Sequence, residues 1–175
     1  MADKSAGSTA WQDQLYDALK EAGVTIFSYV PDAGHKILIN RSLADPDVHS
    51  IRLTTEEEGV SLAAGAHLGG ARSVLLMQSS GVGNCVNMFS LMEYGRFPFL
   101  TYVSMRGDYG EENPWQIAMG RGTQPVMEAM GLKVIRAESP EDVIAATNAA
   151  LGMAFKSNCA VAVLLTQKLL GAKGF

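Results

Sequence analysis

The chain has 175 residues, 47% of them hydrophobic, so it can bury one full-sized core without disulfides or structural metals. Its 14 Lys and Arg stand against 18 Asp and Glu, and a net charge of −4 excludes the basic footprint that holds a phosphodiester backbone. Two distant cysteines without metal-ligand spacing, and the lack of an apolar run of signal-peptide or membrane-span length, predict a cytoplasmic protein that binds neither nucleic acid nor membrane.

Apolar runs typical of strands alternate along the chain with segments of helical period. The six predicted strands are "VTIFSYV", "VHSIRLT", "SVLLMQ", "FPFLTYVS", "LKVIRA" and "CAVAVLLT". The predicted helices are "AWQDQLYDALKEAG", "AGHKILINRSLAD", "EEEGVSLAAGAHLGG", "GVGNCVNMFSLMEYG", "RGTQPVMEAMG" and "SPEDVIAATNAALGMAFKS". This alternation predicts a doubly wound α/β fold, a six-stranded and mostly parallel sheet flanked by helices. We expect residues 1–10 to be a flexible N-terminal tail and residues 11–175 to form a single domain.

Three consecutive acids, Glu56, Glu57 and Glu58, lie at the junction between a predicted strand and a predicted helix. Acids are common in the first turn of a helix because they face its positive end, and this explanation stays open. The helix that follows, "GVSLAAGAHLGG", has no charged face and must therefore be covered nearly all round. At least one acid then points into a cleft or an interface, where a carboxyl can work as an acid or base.

The stretch "QSSGVGN", residues 78–84, follows a predicted strand and opens a helix. Its small residues predict a tight turn whose N–H groups face a ligand or a partner chain. The spacing lacks the third Gly of a dinucleotide fingerprint and the Lys of a P-loop, so an ordinary strand-to-helix turn remains an alternative.

Residues 104–120 have no strong period and predict a long loop at the edge of the sheet where ligands bind. Arg106 and Arg121 there could hold an acidic substrate, although arginines paired with acids on a solvated loop are the commoner case. His35, after "YVPDAG", is the histidine that we consider for substrate contact or proton transfer.

Together these motifs resemble the family of sulfopyruvate decarboxylase alpha subunits, and more broadly the pyrimidine-binding domain of thiamine diphosphate enzymes. The resemblance covers residues 11–168 and is carried by "EEEG...AGAHLGG", "LLMQSSGVGN" and "RGDYGE...MGR". Phosphonopyruvate decarboxylase shares much of the first two motifs.

The resemblance implies that one Glu of the triplet is catalytic and hydrogen-bonds the aminopyrimidine ring of thiamine diphosphate. The family has a small residue seven positions after this Glu and a Gly nine positions after it, which Ala63 and Gly65 match when the count begins at Glu56. Counting from Glu57 gives a poorer match, so we predict Glu56 first and Glu57 second. The other residues that the resemblance implies in cofactor binding are Gln78, Ser79, Ser80, Gly81 and Asn84.

A second expectation concerns a partner chain. The diphosphate and Mg2+ of such enzymes bind a domain marked by Gly-Asp-Gly and a later Asn, and the one Gly-Asp here is in "RGDYG" without that Asn. We therefore expect no metal ligands in this chain and an obligate diphosphate-binding beta subunit in a hetero-oligomer.

The implied reaction is the decarboxylation of 3-sulfopyruvate to sulfoacetaldehyde, in coenzyme M assembly or in sulfonate breakdown. His35, Arg106 and Arg121 are the candidates for binding the sulfonate. Three alternatives stay open: 3-phosphonopyruvate as the substrate, a thiamine diphosphate ligase or half of a 2-oxo acid dehydrogenase, and a non-catalytic regulatory scaffold.

Overall fold

A computed structural model describes residues 10–172. Six strands are present: β1 (Val24–Tyr29), β2 (His49–Arg52), β3 (Arg72–Gln78), β4 (Phe99–Ser104), β5 (Lys133–Ala137) and β6 (Ala160–Leu165). The helices are α1 (Trp11–Glu21), α2 (Lys36–Ala44), α3 (Glu56–Leu68), α4 (Ser79–Cys85), α5 (Phe89–Gly95), α6 (Pro114–Ala129), α7 (Pro140–Phe155) and α8 (Gln167–Leu170), with a 3-10 turn at Ala33–His35 before α2. The predicted tail, residues 1–10, lies outside the described residues except for its last.

The strands form one sheet in the order β2-β1-β3-β4-β6-β5, and every neighbouring pair is parallel. The predicted doubly wound α/β fold is therefore confirmed. The chain moves from β1 outward to β2 and then crosses back to β3 on the other side of β1, so the strand order reverses between β1 and β3. In open sheets of this kind a crevice forms at such a switch point, beyond the carboxyl ends of the strands.

Successive side chains of each central strand enter two different cores. Val74 and Leu76 of β3 pack under α1, α2 and α7, whereas Leu75 and Met77 pack under the helices α3 to α6. The edge strands β2 and β5 are less buried than β3, β4 and β6, because each has only one neighbour. Fully apolar runs thus correspond to the central strands.

Two of the predicted helices differ most from those observed, and the short helix α8 follows the last predicted strand without having been predicted. Helix α6 begins at Pro114, inside the stretch predicted as a loop, because the Asn113 side chain accepts the Trp115 N–H at 3.0 Å and Pro114 occupies the first helical position. The predicted helix at residues 81–95 is two helices, α4 and α5, and α4 already begins at Ser79. The start of α7 at Ser139 and Pro140 is confirmed, with a capping box between Ser139 and Asp142.

Within residues 10–172, no helix combines the length and the apolar character that crossing a membrane requires.

Candidate functional site

The three acids at the start of α3 have three different environments. Glu56 is buried, with 8% of its surface exposed, and the Asn84 side-chain amide donates a hydrogen bond to its Oε2 at 2.9 Å. Glu57 is exposed, and Glu58 is also exposed but accepts the Thr54 backbone N–H at 2.8 Å. The last contact satisfies a donor at the helix entrance, so Glu58 serves to begin the helix while Glu56 faces inward.

Helix α4 packs its first turn directly on the Glu56 carboxyl. A Cβ built on Gly81 would lie 2.4 Å from Glu56 Cδ, a distance that real Cβ atoms do not reach. Gly81 is therefore required by this close approach. The tight turn predicted for "QSSGVGN" is wrong: these residues are the last residue of β3 and the first turns of α4. The structure brings Gly81 and Asn84 together with Glu56, as expected of a shared site.

The Gln78 side-chain amide is held at both ends. Its Oε1 accepts a hydrogen bond from Ser80 Oγ at 2.9 Å, and its Nε2 donates to Asp32 Oδ1 at 3.0 Å. Ser79, in contrast, is fully buried, and its Oγ accepts the Arg106 backbone N–H at 3.0 Å. Ser79 thus ties α4 to the end of β4, while Gln78 and Ser80 lie nearer the open edge.

Asp32 is a site residue that sequence reasoning missed. It follows β1 at the switch point, and its Oδ2 accepts hydrogen bonds from the Gly34 N–H at 2.8 Å and from Ser104 Oγ at 2.6 Å. With Gln78, this carboxylate joins the ends of β1, β3 and β4. The sequence signal is an Asp two residues before a Gly, shortly after a strand, which predicts a side-chain turn but does not by itself indicate a ligand.

His35 lies beneath the edge of the sheet. Its side chain has no exposed surface, and Nε2 donates to the Met77 carbonyl at 3.1 Å, since a carbonyl can only accept. This contact fastens the turn after β1 to the end of β3. The burial favours a positioning role, and substrate contact by His35 stays a prediction.

Arg106 is committed to an acid of its own loop. Its Nε and one terminal nitrogen donate to the two carboxylate oxygens of Glu111, both at 2.5 Å, and the Arg106 and Glu111 side chains are 15% and 3% exposed. The Arg106 hydrogen bond lowers the pKa of Glu111 to about 2, and the same hydrogen bond raises the pKa of Arg106. The charge of Arg106 is therefore neutralised inside the chain, which weakens its candidacy for a substrate anion.

Glu111 also organises the rest of this loop. It accepts the backbone N–H of Gly107 at 3.1 Å and of Asn113 at 2.9 Å, and the side chain of Gln167 donates to it at 2.9 Å. The loop at residues 105–113 is thus held to the end of β6 by buried polar contacts.

Arg121 differs from Arg106. It is exposed on α6 and, within residues 10–172, makes no hydrogen bond or ion pair. Its guanidinium is free to meet an anion, and its role in substrate binding stays a prediction. No group of three or more His, Cys, Asp or Glu side chains that could hold a metal ion occurs in the described range.

Comparison with curated proteins finds relatives over most of the chain. A sulfopyruvate decarboxylase subunit alpha of Methanococcus maripaludis is 34% identical over 154 residues, which are 87% of this chain and 92% of the relative. A phosphonopyruvate decarboxylase of Streptomyces viridochromogenes is 36% identical over 116 residues, 65% of this chain but 29% of that protein. No family model matches the chain.

Solved structures share the fold at lower identity. A 2-oxoglutarate:ferredoxin oxidoreductase from Magnetococcus marinus superposes with a TM-score of 0.71 at 20% identity, covering 93% of this chain and 29% of the other. A putative thiamin diphosphate-dependent enzyme from Mycobacterium smegmatis gives 0.68 at 16% identity, covering 94% and 31%. The chain thus corresponds to under a third of each of these longer chains.

Proposed function

Since the chain belongs to the family of sulfopyruvate decarboxylase alpha subunits, we propose that it is the pyrimidine-binding subunit of a thiamine diphosphate decarboxylase. Its reaction is the conversion of 3-sulfopyruvate to sulfoacetaldehyde and CO2. The single domain predicted for residues 11–175, of which 173–175 lie outside the described residues, binds the pyrimidine end of the cofactor. The enzyme works in the cytoplasm, where Cys85 and Cys159, both free thiols, stay reduced.

The buried Glu56 carboxyl is the observation that carries this proposal. A buried acid needs hydrogen-bonding partners, and Asn84 supplies one to Oε2. Within the described residues Oε1 accepts no hydrogen bond, so it can meet a ring nitrogen. Because Gly81 has no side chain, the first turn of α4 packs directly against this carboxyl without displacing it. The residues present therefore fit the flat, polar edge of an aminopyrimidine.

Each site residue then has a definable task. Glu56 holds or shares a proton with the ring nitrogen, and Asn84 keeps the carboxyl in the orientation that this contact requires. Gln78 and Ser80 present an oriented amide and hydroxyl at the neighbouring edge. When bound, the cofactor supplies the electron sink that allows a 2-oxo acid to lose CO2. Glu57 is the second candidate for the acid, and its exposure makes it the weaker one.

The partner in this proposal is a beta subunit that binds the diphosphate and Mg2+. Helix α3 supports an interface, because its last turn is largely exposed although it carries no charged residue. Leu68 is 76% exposed, and a Cβ on Gly65 would meet nothing within 4 Å. Exposed apolar and small residues on a helix next to the site are typical of a surface that a second subunit covers.

A second substrate, 3-phosphonopyruvate, is favoured by the phosphonopyruvate decarboxylase relative. The two acids have the same carbon skeleton and differ in the charge and protonation of the tail. An anion-binding site built for one would therefore bind the other.

CO2 release tests the proposal directly. It would be measured from both acids, with thiamine diphosphate and Mg2+, for this chain alone and mixed with the protein of the neighbouring reading frame. We expect free aldehyde and CO2 to be released only by the mixture of the two proteins, and faster from 3-sulfopyruvate than from 3-phosphonopyruvate. Activity of the isolated chain would contradict the partner requirement. A product formed only with an added acceptor would favour a ligase or dehydrogenase, and no reaction at all would favour a regulatory scaffold.

A further inference from the structure

The cationic side chains near the carboxyl edge of the sheet differ in whether they already form an ion pair within the chain. Arg106 is bound by Glu111, and Arg136 is bound by Asp108 at 3.0 Å. Lys36, the first residue of α2, is exposed and makes no hydrogen bond or ion pair within residues 10–172. Its full charge is thus available to an anion at this edge.

Lys36 also lines a cavity beside the switch point. The cavity has a volume of about 290 Å³ and is lined by Pro31, Asp32, Ala33, Lys36, Ile39 and Asn40. It adjoins the Asp32 carboxylate, which is hydrogen-bonded to the side chains of Gln78 and Ser104 and so connects it to the ends of β3 and β4. The volume is near the lower end of the range for small-molecule sites, which suits one part of a small ligand.

We propose that this cavity binds the acidic tail of the 2-oxo acid substrate, and that Lys36 determines specificity for a tetrahedral oxyanion, a sulfonate or phosphonate. The inference rests on the proposed function and deepens it. An ammonium is a compact charge with three rotatable donors, which suits the three oxygens of such a tail. The side chains of Pro31 and Ile39 form the apolar part of the lining.

The negative charge of Asp32 does not prevent this assignment. Its carboxylate accepts hydrogen bonds from Gly34, Gln78 and Ser104, and these contacts turn its oxygens toward the chain's own donors. Asn40 adds an amide that can donate to a further oxygen of the tail. The arrangement places one cation and one neutral donor around a site of small volume.

The test uses the assembled enzyme with Lys36→Met and, as a matched control, Lys133→Met, which removes an exposed lysine at the start of β5 on the opposite edge. We expect Lys36→Met to lower kcat/KM for 3-sulfopyruvate and 3-phosphonopyruvate by about 10- to 100-fold, mainly through KM, because one charge-assisted contact is lost. The control should leave both values unchanged. Equal effects of the two variants, or a loss in kcat alone, would overturn the proposal.

Calorimetric binding of 3-sulfopropanoate and 3-phosphonopropanoate, which lack the oxo group and cannot react, separates this inference from the proposed function. If wild type binds either probe and Lys36→Met binds it at least about 10-fold more weakly, the tail site stands even if no 2-oxo acid is decarboxylated. Equal binding by both proteins, or no binding by wild type, refutes the tail site even if the enzyme is active. The probe with the lower Kd shows whether the cavity binds a sulfonate or a phosphonate more tightly.

Discussion

At the scale of single residues, the three adjacent acids Glu56, Glu57 and Glu58 differ in burial and in hydrogen-bonding partners. Successive residues of a helix point about 100° apart, so three neighbours cannot face the same environment. Glu56 faces α4 and Asn84, Glu57 faces solvent, and Glu58 turns back to the Thr54 N–H. The spacing of small residues pointed to Glu56, and its burial supports the same choice.

Replacing the buried acid tests that choice. We expect Glu56→Gln to lower kcat/KM of the assembled enzyme by about 100-fold or more, because an amide cannot hold the proton at the cofactor ring. Glu57→Gln is the control, and we expect it to keep most of the activity. Both variants should assemble with the partner as wild type does, which analytical ultracentrifugation would measure. If Glu57→Gln lost activity and Glu56→Gln did not, the catalytic acid would be Glu57 and the choice of Glu56 would be wrong.

The Gly81 contact offers a test that leaves the carboxyl itself intact. In Gly81→Ala the new methyl group would collide with the Glu56 side chain and displace it, so we expect activity to fall about as far as in Glu56→Gln. Gly83→Ala, in the same helix, places its Cβ 3.5 Å from Met119 Sδ, an ordinary contact, and should be active. Steady-state rates of the two assembled variants test this expectation. Equal rates for Gly81→Ala and Gly83→Ala would show that activity does not depend on the contact between Glu56 and α4.

At the scale of elements, α6 is where sequence reasoning and the structure diverge. The first turn of α6 exposes the large apolar residues Trp115 and Ile117, so its sequence does not show the apolar period typical of a helix. Pro125 also lies inside α6 and is unusual within a helix. The helix-start residues Asn113 and Pro114 lie within the stretch whose lack of a strong period predicts a loop. The cap at Asn113 and Pro114 sets this boundary, and Gly120 lets the helix pack closely on the backbone of Arg106 and Gly107 in the preceding loop.

Two glycines of α6 give opposite predictions. A Cβ on Gly120 would lie 2.4 Å from the backbone oxygens of Arg106 and Gly107, so Gly120→Ala should lower the free energy of unfolding by roughly 3 kcal/mol. Gly122, whose Cβ would meet nothing within 4 Å, is the control. Gly122→Ala should raise the free energy of unfolding by about 0.5–1 kcal/mol through helix propensity. Urea unfolding measures both changes, and the same sign for both would show that α6 does not pack on this loop as described.

At the scale of the whole molecule, the sheet order creates the site. Asp32 lies 46 residues from Gln78 and 72 residues from Ser104, and all three meet only because β1, β3 and β4 are neighbours. Six alternating strands and helices are compatible with other orders. The reversal between β1 and β3 therefore decides which side chains share a crevice.

The exposed end of α3 predicts where the second subunit binds. We expect Leu68→Asp to weaken association with the beta subunit by about 10- to 100-fold, because it buries a charge in an apolar contact. Leu43→Asp, at a residue 60% exposed on α2 across the sheet, is the matched control and should associate normally. Sedimentation or calorimetric titration measures both affinities, and equal affinities would place the interface elsewhere.

The sequence by itself determined the α/β class, all six strands, the start of α7 and the acid triplet at the head of α3, because these depend on local period and capping. The motifs also identified the family. Only the tertiary structure decided that Glu56 meets Gly81 and Asn84, that Arg106 is neutralised by Glu111, and that Asp32 and Lys36 stand at the switch point. The physical reason is that burial, pairing and charge are set by neighbours distant in the chain, and strand order alone brings those neighbours together.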